Sequence, residues 1–301
     1  MPAASIPAPT ALPLRHALLA VAVMAVWGTN FVVIKSALAH LPPLFFAALR
    51  FALVVFPAIF FLRRPAVPWR ELAAYGVLIG AGQFGLLYMA IDGRISPGLA
   101  SLVVQTQVFF TIGLVMYLDG ERLRPFQYVA LALAVTGLAT IGWHTDGATT
   151  VPGLALVLLA ALCWSLGNLV ARRAGRVDML AYVVWGSLFS SPPLLAMSLA
   201  LEGWPAIARG LADADVWTWA GVLWQSVGNS LFGYAAWGWL LARYPAASVS
   251  PMALLVPVFG IAASAFWLGE DLPGWKLLAA ALVLGGLTLN LPWPLWKSRR
   301  A

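Results

Sequence analysis

Apolar residues run along this chain in long stretches separated by short polar turns. A hydrocarbon layer about 30 Å thick needs roughly 20 such residues as helix, because each residue rises only about 1.5 Å. Ten stretches meet that requirement, at 17–38, 44–62, 72–91, 97–118, 126–143, 152–172, 179–201, 216–241, 246–268 and 275–294. The pattern predicts an all-α membrane protein of ten transmembrane helices.

Positive charge checks the count independently, since one helix missed or invented would invert every later turn. Thirteen Lys and Arg residues fall on one side: Arg15, Arg63, Arg64, Arg70, Arg122, Arg124, Arg172, Arg173, Arg176, Arg243, Lys297, Arg299 and Arg300. Four fall on the other, Lys35, Arg94, Arg209 and Lys276, while Arg50 lies within the second stretch. Cytoplasmic turns are enriched in Lys and Arg. Both termini are therefore expected in the cytoplasm, with the helices crossing a bacterial inner membrane.

The second half echoes the first. Gly120-Glu121-Arg122-Leu123 closes the fourth stretch and Gly269-Glu270-Asp271-Leu272 closes the ninth. Each is followed by a Leu/Ala/Val-rich stretch with a glycine at a matching place, Gly137 and Gly286, and each is preceded by a stretch that opens on a proline, Pro97 and Pro245. A looser match pairs Trp27 and Asn30 with Trp164 and Asn168, at spacings that differ by one residue. Five is an odd number of spans, so the second copy must lie upside down relative to the first. The expected organisation is a cytoplasmic tail at 1–16, a five-helix repeat at 17–143 and an inverted five-helix repeat at 152–296. Two such bundles around a shared midplane cavity can rock to open either end in turn, the geometry of alternating access.

Composition agrees and narrows the function. With 62% hydrophobic and 10% charged residues, the chain lacks the polar side chains to coat a water-soluble surface. Its 27 glycines suit close helix packing and its 15 tryptophans suit anchoring at the headgroups. Trp69, Trp143, Trp204, Trp217, Trp219, Trp275, Trp293 and Trp296 lie near stretch ends, where anchoring is the expected role. The net charge of +7 is spread over short turns rather than gathered in a basic domain, so nucleic acid is not an expected partner. Cys163 is the single cysteine, inside an apolar stretch, and offers no disulfide framework. Residues 1–14 carry no charge run, and no small-residue cleavage site follows the first apolar stretch, so no removable leader is expected. His16, His40 and His144 lie in or near turns, and neither a metal-ligand spacing nor a nucleotide-binding glycine loop occurs. No enzyme, metal or cofactor is expected.

Polar groups in hydrocarbon are costly, so those inside the stretches are candidates for function. The first stretch holds Trp27, Asn30 and, nearer its outer end, Lys35; the second Arg50; the third Gln83 and Tyr88; the fourth Gln105, Thr106 and Gln107. The sixth holds Trp164 and Asn168, and the eighth Gln225, Asn229 and Tyr234. One reading is a cavity for an amphipathic solute, with rings covering its apolar surface and amides meeting its polar ends, lined by Trp27, Asn30, Gln83, Tyr88, Gln105, Gln107, Trp164, Asn168 and Asn229. The other is amides bridging helices to satisfy one another. Arg50 could snorkel outward and attract a carboxylate with Lys35, or brace a helix interface through backbone carbonyls. Pro245, Pro251 and Pro257 recur every six residues through the ninth stretch, which is either a moving element or a fixed kink. Capping or a link to a loop arginine would account for Glu121 and Glu270. The fifth and tenth stretches carry almost no polar residues, as peripheral packing or dimer-facing helices would. No Asp or Glu sits deep in any stretch, which points to downhill transport or exchange without tight ion coupling.

With these residues in view, the chain resembles the EamA family of the drug/metabolite transporter superfamily. The likeness covers nearly the whole length and is carried by residues 27–35, 41–44, 49–51, 98–103, 120–123, 233–234 and 254–258. The first half is most similar to exporters of O-acetylserine and cysteine, and an exporter of aromatic amino acids is the next likeness. The resemblance implies two inverted five-helix repeats, a central cavity to which Trp27, Asn30, Gln83, Gln105 and Trp164 belong, and export of amino acids or related metabolites. The expected partners are the bilayer and a small amphipathic substrate, with the chain a monomer or weak homodimer. A broad drug or metabolite exporter of the same fold is the nearest alternative. A passive channel would need a continuous polar stripe, whereas the amides here cluster at mid-stretch.

Overall fold

The computed structural model describes residues 12–119, 125–144, 149–175, 177–244 and 246–289. Ten helical spans and no strand occur among them. They are α1 (Leu14–Ala37), α2 (Pro43–Val55, followed by a 3-10 turn at Ala58–Phe60), α3 (69–91), α4 (97–119) and α5 (Pro125–Trp143). The second half comprises α6 (Val151–Arg173), α7 (Met179–Ser187 and Ser191–Leu201), α8 (216–243), α9 (246–268) and α10 (Gly274–Leu289). Eight are long and apolar enough to cross a membrane. The other two are α10, of which 16 residues are described, and α8, whose middle carries Gln225, Ser226, Asn229 and Ser230. Prolines start several spans, among them Pro43, Pro97, Pro125 and Pro152, because the first helical turn has no partner for an N–H anyway.

The spans match the sequence expectation closely, but several are not uniform helices. Both α3 and α8 loosen into π-helix, at Leu78–Gly85 and Trp224–Phe232. Both α4 and α9 tighten into 3-10 helix, at Val104–Thr106 and Ser250–Leu254. These irregularities fall on helices five apart in order, so the two halves share backbone defects as well as span number. A turn at 188–190 breaks α7, because Pro192 and Pro193 cannot donate the hydrogen bonds that would continue it. A short helix not expected from the pattern, Trp204–Asp213, joins α7 to α8 and buries Ile207 and Gly210 while most of its length stays exposed.

Packing has the same symmetry. Helix α1 lies along α8 and α9, and α6 lies along α3 and α4; α2 meets α7, α4 meets α9, and α5 meets α10. Exchanging each helix for the one five places away returns the same set of neighbours, as two inverted copies require. The matching glycines seat the α5–α10 pair: a methyl on Gly137 would stand 2.7 Å from Val283 Cγ2, and one on Gly286 2.5 Å from the Ala130 carbonyl. These two helices pack on one another at the periphery, away from the polar residues.

Candidate transport site

Arg50 organises a buried polar cluster. Its side chain is fully buried, and the guanidinium turns into the protein rather than snorkelling outward. It does not brace the interface through backbone carbonyls either. Its Nε and one terminal nitrogen donate to Ser230 Oγ at 3.3 and 3.0 Å, and the other terminal nitrogen donates to Tyr88 Oη at 3.2 Å. The Phe84 ring lies 3.8 Å from Cζ, close enough for a cation–π contact. Tyr88 donates in turn to Gln225 Oε1 at 2.8 Å. Ser226 Oγ donates to the Arg50 carbonyl at 3.1 Å, which fixes the backbone that carries the charge. Phe84 belongs to the π segment of α3, with Tyr88 just after it, and Gln225, Ser226 and Ser230 belong to the π segment of α8. The two irregular segments thus converge on α2. A π turn displaces side chains from the regular helical register and is frequent at functional sites.

A second group surrounds Trp27, whose indole nitrogen donates to the Asn229 carbonyl at 3.0 Å and whose ring meets Tyr234 and Trp237 at 5.6 and 5.7 Å. Gly233 makes this fit possible, since a methyl there would stand 2.3 Å from the indole nitrogen. Asn30, Gln83, Gln105 and Asn229 are also buried, on α1, α3, α4 and α8. Among the described residues, the buried amide atoms Asn30 Oδ1, Gln83 Oε1 and Gln225 Nε2 have no partner.

The third group joins α4 to α6. Asn168 donates to Gln107 Oε1 at 3.2 Å, the Thr111 hydroxyl donates to the Gln107 carbonyl at 2.8 Å, and the Thr111 and Ser165 hydroxyls lie within hydrogen-bond distance at 3.0 Å. These amides bridge helices, so Gln107 and Asn168 satisfy one another rather than standing free. Trp164 packs half-buried against the apolar core. The expected set therefore divides between an α2–α3–α8 cluster with Trp27 beside it and an α4–α6 bridge. Sequence reasoning missed Ser226, Ser230 and Phe84; the serines' spacing of four along a span was the available signal.

Lys35 ends near the close of α3, with Nζ 3.4 Å from the Ile91 carbonyl, where a cation meets the negative end of a helix. Pro251 opens the 3-10 segment of α9, and Pro257 lies buried in the first turn of the α-helix that follows, so the break precedes Pro257 instead of bending the helix at it. Pro245 and Glu121 lie outside the described residues.

The face opposite the start of α1 is tied across the two halves by carboxylates. Glu270, after α9, accepts from Ser96 and from the Gly98 amide (3.1 Å) at the start of α4, from Ser264, and from Lys276 Nζ at 3.0 Å. Glu202, after α7, accepts from the Leu44 and Phe45 amides at 2.6 and 3.1 Å at the start of α2, and from Ser198. Anions are favoured at helix N-termini, where amides point outward unpaired. Near the same face a groove of about 620 Å³ opens between α1, α8 and the end of α9, lined by Val33, His40, Thr218, Trp224 and Trp267 among others. None of the candidate residues above lines it. Asp215 caps α8 at its rim, and hydrogen bonds from the Thr218 hydroxyl and amide hold its carboxyl below the usual aspartate range.

A family model described as the EamA-like transporter family matches residues 14–143 and again 151–291. A Salmonella typhimurium protein named a probable amino-acid metabolite efflux pump is 42% identical, over 92% of this chain and 95% of its own. An Escherichia coli protein of the same name is 39% identical over the same shares. A probable terminal-alkyne amino-acid exporter of Streptantibioticus cattleyicolor is 28% identical over 72% of this chain and 69% of its own. A solved crystal structure superposes with a TM-score of 0.61 at 21% identity, covering 91% of this chain and 96% of its own, a likeness of fold.

Proposed function

Because the chain belongs to the EamA-like transporter family, we propose that it exports small neutral amino acids and their derivatives, of the cysteine and O-acetylserine kind or with aromatic side chains, by alternating access. The observations that carry this reading are the buried, unpaired amide atoms on α1, α3 and α8 and the paired Trp27 and Tyr234 rings. An amide left unpaired in a low-dielectric interior costs about 1–3 kcal/mol. Retaining acceptors on Asn30 and Gln83 and a donor on Gln225 suits a zwitterion, while the rings suit its apolar part. The names of the amino-acid exporters it resembles support the same substrate class.

Under the charge distribution, the face where α1 begins is cytoplasmic and the carboxylate-tied face is outward. The described conformation then corresponds to a state closed toward the outside. No carboxylate is buried in mid-span among the described residues, which favours exchange or downhill export without ion coupling. The test is counterflow in proteoliposomes with a panel of amino acids. Saturable uptake accelerated by internal substrate, and unaffected by collapse of the proton gradient, is expected. Flux that ignores substrate on the far side would mark a channel and overturn the proposal.

A further inference from the structure

A guanidinium stays protonated in any membrane environment at ordinary pH, so the charge on Arg50 cannot be relieved by deprotonation. Burying an ion costs several kcal/mol even after the protein relaxes, and the usual compensation is an opposite charge. Arg50 has none among the described residues, whereas Lys276 pairs with Glu270 at the end of a span. Its neighbours are neutral: two hydroxyls and two aromatic rings, Phe84 and the more distant Phe51 at 5.2 Å. They supply acceptors and a favourable quadrupole but no negative charge.

The hydrogen-bond inventory points the same way. An arginine carries five N–H donors, and three are engaged, by Ser230 twice and Tyr88 once. Tyr88 donates its own hydrogen to Gln225 Oε1, and the Gln225 Nε2 donors are buried without an acceptor. The cluster therefore holds one full positive charge and a surplus of donors. That is the complement of a carboxylate, whose two oxygens accept in the plane that a guanidinium fork presents.

We propose that Arg50, with Gln225 and Tyr88, is the subsite that receives the carboxylate of the transported molecule, and so sets selectivity for amino acids over derivatives that lack the carboxylate. The proposal rests on the amino-acid export reading above. It also explains the choice of partners. Arg50 and Tyr88 belong to the first repeat, and Ser230 and Gln225 to the second, so the Arg50–Ser230 and Tyr88–Gln225 bonds tie α8 to two helices of the other repeat, α2 and α3. Ser230 holds the guanidinium in the described conformation. When the bundles rock apart and that bond lengthens, the substrate carboxylate takes its place, and the charge is never left bare.

The test uses full-length protein in proteoliposomes, with L-cysteine and L-phenylalanine set against L-cysteinamide and L-phenylalaninamide, which keep the side chain and ammonium but lack the carboxylate. Wild type is expected to exchange the acids about tenfold to a hundredfold better than the amides, as loss of a charge-assisted hydrogen bond implies. R50Q should lose this preference and R50K should keep part of it. In parallel, the melting temperature of detergent-solubilised protein is read with benzoate against equal chloride, where wild type should be stabilised and R50Q should not. Exchange of acids and amides at equal rates by wild type, or a preference that survives in R50Q, overturns the subsite while leaving amino-acid export standing. If no amino acid is exchanged but benzoate stabilises wild type alone, the export reading fails and the carboxylate site stands. If neither is seen, both fall. Should R50Q fail to fold, the wild-type preference, the benzoate shift and R50K decide the matter without it.

Discussion

Replacing Glu270 with Gln tests whether the carboxylate ties on the outward face hold a conformation or only the fold. The Glu270 carboxylate takes hydrogen bonds from Ser96, Gly98, Ser264 and Lys276, and the Glu270 and Lys276 side chains are only 9% and 8% exposed, so solvent screens the pair little. Gln keeps one oxygen but turns an amide toward two of the four donors and leaves Lys276 without its counter-charge. Hydrogen bonds to charged groups are each worth about 1.5–3 kcal/mol, and stranding one member of a buried pair costs about 3–5 kcal/mol; with one oxygen retained, a loss of about 3 kcal/mol is reasonable. Two of the donors stand at the start of α4, in the other repeat, so about half of that loss, some 1.4 kcal/mol, falls on the contact between repeats and corresponds to a tenfold shift toward an outward-open state. The assay is a cysteine at Ser101, which is fully buried one turn inside α4, in a Cys163→Ser background. In intact cells a membrane-impermeant maleimide should label it about ten times faster in Glu270→Gln than in the parent. A lowered melting temperature with an unchanged labelling rate would refute the gating argument and leave Glu270 a folding contact.

Three further outcomes follow from the same geometry. Gly233→Ala must displace the Trp27 indole and break its bond to the Asn229 carbonyl; substrate affinity in counterflow should fall at least severalfold with membrane expression retained, and an unchanged affinity would remove Trp27 from the site. Gly286→Leu drives a side chain into the Ala130 carbonyl across the α5–α10 seam, so the melting temperature should drop, overpacking of this kind costing about 1–3 kcal/mol; preserved melting would mean the seam is not closely packed. Hydrogen bonds from Thr218 hold the Asp215 carboxyl below its ordinary value of 3.8, so its cap on α8 is fully present at neutral pH and is lost only as pH falls through the lowered value. Asp215→Asn, which keeps an acceptor but cannot titrate, should lose less stability than wild type on acidification, and identical acid profiles for the two would show that the cap contributes nothing.

Hydrophobic run length alone determined the ten spans of this chain, because lipid demands a fixed length of self-satisfied helix and the sequence repeats that length ten times. Parity and the matching Gly137 and Gly286 determined the inverted pair of repeats for the same reason: the number of crossings sets direction. What each polar side chain does was left to tertiary structure. Arg50 stood open as a snorkelling residue, a brace or a ligand until α3 and α8 were seen to close over it. Gln107 and Asn168 stood open as cavity lining or as a helix bridge, and only the packed helices bring them into hydrogen-bond contact. Run length is also blind to where a span changes its winding; in the π segment of α3, Ser190 and Cys163 pack closely against Gly80 and Gly82, contacts that exist only in the folded chain. A hydropathy pattern reports which groups tolerate lipid, and only the packed helices decide which buried groups meet.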